Sequence, residues 1–261
     1  MKIAIFYKKE KEDKELINSI KQEAEKHQII IDNENPDVVI SVGGDGTFLR
    51  AVHQYIDYLD KVVFIGVNNG SLGFFYDFFK EEVPELLSSL AKKELVVKEY
   101  PLLQGDVIFK NSQKRIYAVN EIRVECPFHT LISDVFINDE KLEVYRGNGL
   151  IVSTTLGSSA YNKSLGGALI DPDLFALELT EVAGIQNNVY RSLDSSLVID
   201  GHKQITFTGS FKDSIVVYDY LNIPQDDELK EIKLHYSEKK VKIIYRHDHS
   251  YVQRIRKSFV L

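Results

Sequence analysis

The chain has 261 residues, of which 44% are apolar, 27% charged and 11% aromatic, a balance that excludes a disordered or low-complexity polypeptide and permits a full hydrophobic core. Thirty-two Lys and Arg against 39 Asp and Glu give a net charge of −7, which argues against nucleic acid as the main partner, and the longest clear apolar run, Val62 to Val67, is far too short to span a membrane. The single cysteine, Cys126, allows no intrachain disulfide, and the opening Met1 to Tyr7 is too short for a signal-peptide core, so a cytoplasmic location is expected.

Along the first 95 or so residues, continuous apolar runs alternate with helical spacing, which is how buried parallel strands and their covering helices read. Ile3 to Tyr7 is a predicted strand. Leu16, Ile20 and Ala24 recur every four residues along a helix whose Lys and Glu face solvent. Asp37 to Val42 is a second strand, followed by a helix with Phe48, Val52, Tyr55 and Ile56 on one side. Val62 to Val67 is a third strand, and Leu86, Leu87 and Leu90 mark another helix. Past Val96 the pattern changes to short β-branched and aromatic runs, among them Asp106 to Phe109, Arg115 to Val119, Ile132 to Ile137 and Gln204 to Thr208. One helix is expected there, Asp173 to Ala183, opening after Pro172 and stopping at Gly184. The expected fold class is an α/β N-terminal domain, residues 1–98, with a mostly-β C-terminal domain, residues 99–245; the tail, about 246–261, would pack back on the first domain.

The most informative segment is Gly43-Gly44-Asp45-Gly46-Thr47, lying between the second strand and the helix that carries Phe48. Glycines let the backbone turn tightly and approach a ligand closely, while a helix N-terminus presents N–H groups and positive dipole, together a phosphate cradle. There is no Gly-Lys-Ser/Thr ending, and Lys8-Lys9-Glu10 rather than a Gly-x-Gly turn follows the first strand, so neither standard nucleotide fingerprint applies. An acid inside an anion site is repulsive unless a cation intervenes or the acid accepts a proton from an attacking hydroxyl, so Asp45 points to phosphoryl transfer. Farther on, small and hydroxylated residues around Ser158 to Ser164 suit a flat base, Tyr161 can stack or hydrogen-bond, and Asn120 beside an accepting Glu121 fits a ribose diol.

The glycine loop resembles the signature shared by NAD kinases, diacylglycerol and sphingosine kinases and, in close variant, phosphofructokinases. Arg146-Gly147-Asn148-Gly149 through Thr154, followed by Gly157 to Ala168, resembles the long central motif of NAD kinases in particular. Asn120-Glu121, Gly70-Ser71-Leu72-Gly73-Phe74, Ala183 and Asn187 to Arg191 extend the match over most of residues 37 to 195.

This resemblance implies transfer of the γ-phosphoryl group of ATP to the adenosine 2′-hydroxyl of NAD, with Mg²⁺ required and Asp45 as general base. By the same resemblance Gly44, Gly46 and Thr47 lie beside phosphate, and Phe74 lines the dinucleotide pocket. Asn120, Glu121, Ser159, Ala160, Tyr161, Asn162, Lys163 and Ser164 would hold NAD, with Asn148 near the nicotinamide amide. Arg146, Ala183 and Tyr190 would contribute to a site completed by a neighbouring subunit, implying a homo-oligomer, dimer or tetramer. No residue is assigned as a metal ligand.

Three departures stand out: Asn148 replaces the usual Asp, Thr155-Leu156 replaces a Pro and a small polar residue, and Ser71 stands where His or Arg is frequent. The rival readings are a lipid or sugar kinase sharing the loop, and a non-catalytic NAD or NADP sensor motivated by Asn148 and Leu156. Gly157-Ser158-Ser159 is not a nucleophile elbow, since Tyr161 stands where its last glycine belongs. His247-Asp248-His249 lacks a further zinc ligand and reads as a surface pair. Arg254, Arg256 and Lys257 read as a solvated basic tail.

Overall fold

The computed structural model describes residues 1–8, 13–68, 73–92, 94–224, 227–246 and 250–260. Lys9 and Glu10, the Gly70-Ser71-Leu72 part of the second glycine motif, and the His247-Asp248-His249 pair lie outside the described residues. The chain divides into two compact units, one of Met1–Tyr100 with Lys239–Leu261 and one of Pro101–Glu238.

The first unit is built on a parallel sheet. β1 (Lys2–Tyr7) is followed by α1 (Lys14–Lys26), β2 (Ile30–Ile31), β3 (Val38–Val42), α2 (Asp45–Gln54), β4 (Val63–Asn68), β5 (Phe78–Phe79) and α3 (Val83–Lys92). β1 pairs with β2 and β3, and β3 with β4, all parallel, with Ile5 opposite Ile40 and Ile40 opposite Ile65. β3 is buried at all five positions because helices cover this sheet, which is why it reads as one apolar run. Asp13 caps α1, its Oδ1 accepting from the Leu16 amide at 2.9 Å. Leu16, Ile17, Ile20 and Ala24 of α1 pack with Leu86, Leu87 and Leu90 of α3 in one core.

The second unit is antiparallel. β6 (Val96–Phe109), β7 (Gln113–Ala118), β8 (Glu121–Glu125), β9 (Leu131–Ile137), β10 (Glu140–Gly147) and β11 (Gly149–Thr154) lead through the short α4 (Tyr161–Ser164) to β12 (Ala176–Val182), β13 (Leu197–Asp200), β14 (Ile205–Ser210), β15 (Ile215–Tyr218), β16 (Leu221–Ile223) and β17 (Leu229–Tyr245). One sheet runs β13-β12-β11-β8-β15-β16. The other contains β10, β9, β14 and the first half of β17. Ile122, Val124, Leu150, Val152, Leu177 and Leu179 from the first sheet share one core with Val135, Phe207, Ile232 and Leu234 from the second, as in a β-sandwich.

Two sequence expectations require correction. Asp173 to Ala183 is not a helix: Ala176–Val182 is strand β12, paired on both sides, with β11 and β13. Leu and Glu favour a helix locally, but the period that governs is two, with Leu177 and Leu179 in the core and Glu178 and Thr180 buried on the opposite face. The expected cuts near residues 98 and 246 fall instead at Tyr100/Pro101 and Glu238/Lys239. Both lie inside long strands, β6 and β17, so that no loop marks the change. After β17 the chain enters α5 (Tyr251–Ile255), capped by Ser250, and ends in a wider turn, Arg256–Val260.

Truncating a wholly buried leucine of β12 tests the strand assignment energetically. Leu179→Ala is expected to lower the unfolding free energy by about 2–5 kcal/mol, measured by urea titration; a change below 1 kcal/mol would place this side chain outside the core.

Candidate active site

In the first unit the glycine loop is shaped by its own backbone. Gly43 has φ +145°, and a Cβ there would lie 2.7 Å from Thr47 Oγ1, so this position favours glycine on two grounds. Gly44 is the N-cap of α2 and supplies no side-chain cap, leaving the first turn of the helix open to an outside acceptor. Thr47 is buried, Gly46 exposed and Asp45 half-buried. Lys8 approaches the loop, its Nζ 3.9 Å from where a Cβ on Gly46 would sit.

The Asp45 carboxylate does not point back into its own helix. Its Oδ2 accepts from the Phe74 amide at 3.0 Å and its Oδ1 from the Phe75 amide at 3.1 Å. Burial raises its pKa above the ordinary aspartate value, and the two amide bonds oppose that shift without cancelling it. The next residue, Tyr76, donates its hydroxyl to the Gly44 carbonyl at 2.6 Å and lies 3.4 Å from Ser41 Oγ. Phe75 stacks flat on Phe48 of α2, ring centroids 4.6 Å apart. The segment Gly73 to Tyr76 therefore clasps the glycine loop from outside.

In the second unit Asn120 and Glu121 lie at the start of β8, both buried. Asp219 fixes the approach to them, its carboxylate accepting from the Val119 amide at 2.9 Å and the Asn120 amide at 2.8 Å. Asn120 Oδ1 and Glu121 Oε2 are buried without a hydrogen-bond partner among the described residues. Burial, reinforced by Asp219, pushes the Glu121 pKa up to about 8. In its protonated form Glu121 can donate one hydrogen bond as well as accept.

Arg123, two residues on and on the same strand face, stands between Glu121 (3.4 Å) and Glu125 (3.3 Å), with its guanidinium 4.8 Å from the ring centroid of Tyr161. Asn162 has no side-chain atom to spare. Its Nδ2 donates to Glu178 Oε2 at 2.6 Å and its Oδ1 accepts from Thr180 Oγ1 at 2.7 Å, so its expected binding role is corrected to a structural one at the side-chain level. Ser159 and Ala160 are half-buried beside it, whereas Tyr161, Lys163 and Ser164 are exposed.

A second cluster in this unit gathers Arg146, Asn148, Ala183 and Tyr190. The Arg146 guanidinium lies 4.4 Å from the Tyr190 ring centroid, and the Arg146 carbonyl accepts from the Ile185 amide at 2.7 Å. Ala183 holds φ +50°, an unusual conformation for a residue with a Cβ. Asn148 is exposed, and its Nδ2 donates to the Cys126 carbonyl at 3.3 Å. Nearby Glu143 and Glu181 share the Leu193 amide, and their mutual repulsion adds to burial in raising the Glu143 pKa.

Sequence reasoning missed Arg123, although the alternation Glu121, Arg123, Glu125 was a legible signal of one charged strand face. It also missed Lys8, Tyr76 and Asp219. Asp219 lies 99 residues from Asn120, a separation that no local pattern reveals.

Models of two families match the chain: the ATP-NAD kinase N-terminal domain over residues 4–95 and the ATP-NAD kinase C-terminal domain over residues 120–245. The NAD kinase of Lysinibacillus sphaericus is 38% identical over all of this chain and 99% of that protein. The NAD kinase of Geobacillus stearothermophilus is 40% identical over 88% of this chain and 85% of its own. Two solved structures share the fold. Yeast NADH kinase complexed with NADH has a TM-score of 0.86 at 19% identity, covering 99% of this chain and 87% of that one. The NAD kinase of Archaeoglobus fulgidus in complex with ATP has a TM-score of 0.79 at 23% identity, covering 99% and 97%.

Two predictions come from this geometry. A Cβ on Gly73 would collide with the Asp45 carboxylate, so Gly73→Ala is expected to reduce kcat by about 10²-fold, the cost of roughly 1 Å of misplacement, with the protein still folded by circular dichroism. For Glu121, the pKa of about 8 lies above its ordinary 4.5. The native state therefore retains a proton that the unfolded chain releases, and this contribution to stability is lost as pH rises from about 4.5 through 8. Urea titrations across that range should show the wild type falling relative to Glu121→Gln; parallel curves would contradict the raised pKa.

Proposed function

This chain belongs to the ATP-NAD kinase family, and we propose that it transfers the γ-phosphoryl group of ATP to the adenosine 2′-hydroxyl of NAD, yielding NADP, with Asp45 as general base. The observation that carries this reading is a half-buried acid at the first turn of α2, held by two backbone amides beside an uncapped glycine loop. A ribose hydroxyl is a poor nucleophile at neutral pH. Asp45 takes its proton as the oxygen bonds to phosphorus and the bond from phosphorus to the β–γ bridging oxygen breaks, releasing ADP. A carboxylate whose pKa is raised by burial is, once ionised, a stronger base than an ordinary aspartate.

The N–H groups of Gly44 and Gly46 at the uncapped end of α2, with Thr47 beside them and the Lys8 ammonium, would face the charge carried by the phosphates, while the Thr47 amide donates to the Gly44 carbonyl at 2.6 Å. On the NAD side, the two unpartnered buried oxygens of Asn120 and Glu121 match a ribose diol, Glu121 donating and Asn120 accepting. Tyr161 offers its ring to a base, stiffened by Arg123. Ser159, Lys163, Ser164 and the Ala160 backbone would supply neighbouring polar groups, and Phe74, beside Asp45, would line the dinucleotide pocket. Asn148, exposed beside β11, is assigned to the nicotinamide amide.

Magnesium is proposed as the required ion. Such an ion would be held mainly by the phosphate oxygens of ATP and by water. When bound, it would neutralise charge on the transferring phosphoryl group. A homo-oligomer, dimer or tetramer, is supported by the Arg146, Ala183 and Tyr190 cluster and the exposed apolar side chains of Ile185, Val189 and Tyr190, of which Val189 is 79% exposed. No helix among the described residues is long and apolar enough to cross a membrane. A cytoplasmic location is proposed on the use of a single free, buried cysteine.

The test incubates purified protein with magnesium, ATP and NAD and couples product to an NADP-specific dehydrogenase. Asp45→Asn is expected to lower kcat by about 10² to 10⁴-fold while the fold survives; a fully active variant would remove Asp45 from the mechanism. In the wild type, the acid limb of the kcat profile should fall above the ordinary aspartate pKa of 3.8.

A further inference from the structure

Of the basic tail residues, Arg256 and Lys257 are exposed, whereas Arg254 is built into the support of Asp45. Arg254 of α5 donates from Nε to Asp77 Oδ1 and from Nη2 to Asp77 Oδ2, each at 3.2 Å, and the Arg246 amide donates to the same carboxylate at 3.1 Å. This ion pair is dry: the side chains of Arg254 and Asp77 are 12% and 1% exposed. The Arg254 guanidinium also lies 4.0 Å from the ring centroid of Tyr245, and Phe259 packs against Phe74 with ring centroids 5.5 Å apart. Gly73, Tyr76 and Asp77 on one side and Gln253, Arg254 and Lys257 on the other line one small pocket.

Both tail contacts thus fall on the segment whose Phe74 and Phe75 amides hold the Asp45 carboxylate. We propose that Arg254 and Phe259 are positioning residues for phosphoryl transfer, clamping residues 73–77 so that two amides keep the Asp45 carboxylate aimed. The inference rests on the reading of Asp45 as the general base. Bonds of this kind set aim more than affinity, because a donor that slides by an ångström leaves the base mis-set while the rest of the binding surface is untouched.

Groups that feel the Asp45 charge include the Tyr76 hydroxyl from the clamped segment and the Tyr245 hydroxyl from β17, with Asp77 of that segment and Arg254 of α5 beside Tyr245; the Lys8 ammonium approaches Gly46. None of them replaces an amide donor to the carboxylate when the segment loosens. The two amide bonds favour the charged form of Asp45, so loosening them raises its pKa further.

The experiment measures kcat, KM for NAD and the pH dependence of kcat for the wild type, Arg254→Gln, Arg254→Lys, Phe259→Leu and Asp45→Asn, with thermal midpoints for each. Arg254→Gln is expected to lose about 10- to 100-fold in kcat with KM for NAD changed less than twofold, and to move the acid limb to higher pH. Arg254→Lys, which keeps the charge but gives up the two-pronged geometry, should recover part of both effects. If Arg254→Gln does not fold, Phe259→Leu decides, with the same upward movement of the limb expected. A folded Arg254→Gln, or Phe259→Leu in its place, with wild-type kcat, or with reduced kcat and an unmoved acid limb, overturns the positioning role. Full activity of Asp45→Asn would instead overturn the reading on which the inference rests.

Discussion

A carboxylate beside a phosphate site must be held against its own tendency to turn away, and here two backbone amides supply the hold. Phe74 and Phe75 donate to the two oxygens of Asp45, and the neighbouring residues are arranged so that they can. Phe75 is fixed by stacking on Phe48, Tyr76 by its bond to the Gly44 carbonyl, and Asp77 by Arg254. The absence of a Cβ at Gly73 clears the space that the carboxylate occupies. Each of these contacts would be ordinary packing alone; together they give one flexible acid a defined direction, as its proposed role of base requires. Pre-set donors of this kind cost no reorganisation when the reaction occurs, which is why they favour the transition state over the bound substrate.

The second unit presents polar atoms that are buried yet unpartnered among the described residues, as the proposed dinucleotide site requires. Asp219 ties down the Val119 and Asn120 amides, while Asn120 Oδ1 and Glu121 Oε2 stay without a hydrogen-bond partner among the described residues and Glu121 Oε1 accepts from Arg123. An unpaired buried oxygen is destabilising by about 1–3 kcal/mol, so its persistence next to a second one is more readily understood as part of a binding surface than as a flaw of packing. The raised pKa of Glu121 follows from the same dryness. It also turns the residue into a donor, so the pair offers complementary partners to adjacent hydroxyls.

Much of this was legible in the sequence because the first unit obeys local rules. A strand buried on both faces must be apolar throughout, as Val38–Val42 is, and three glycines between it and Phe48 signal close approach to a ligand. The second unit was harder. Leu174 to Ala183 carries helix-favouring residues, yet the position between β11 and β13 imposes a period of two, and tertiary pairing overrides local preference. Asn162 was read as a binding residue because it lies in a motif of small polar residues. Only the fold reveals that Glu178 and Thr180, more than a dozen residues away, occupy both ends of its amide.

The tail shows the limit most clearly, because charge in sequence says nothing about its partner. Arg254, Arg256 and Lys257 form a basic cluster of the sort usually left in water, and Asp77 is an unremarkable acid between aromatic residues. The meeting of Arg254 with Asp77 buries a charge, which proteins tolerate only when the geometry supplies most of the lost hydration. Replacing such a pair by apolar residues of similar volume is often neutral or stabilising, so stability alone gives no reason for it. A two-pronged, directional contact does offer something that apolar packing lacks: it fixes the register of the segment it grips. In this chain the gripped segment is the one whose amides orient Asp45, and a fixed register there has value for chemistry that it would not have elsewhere on the surface.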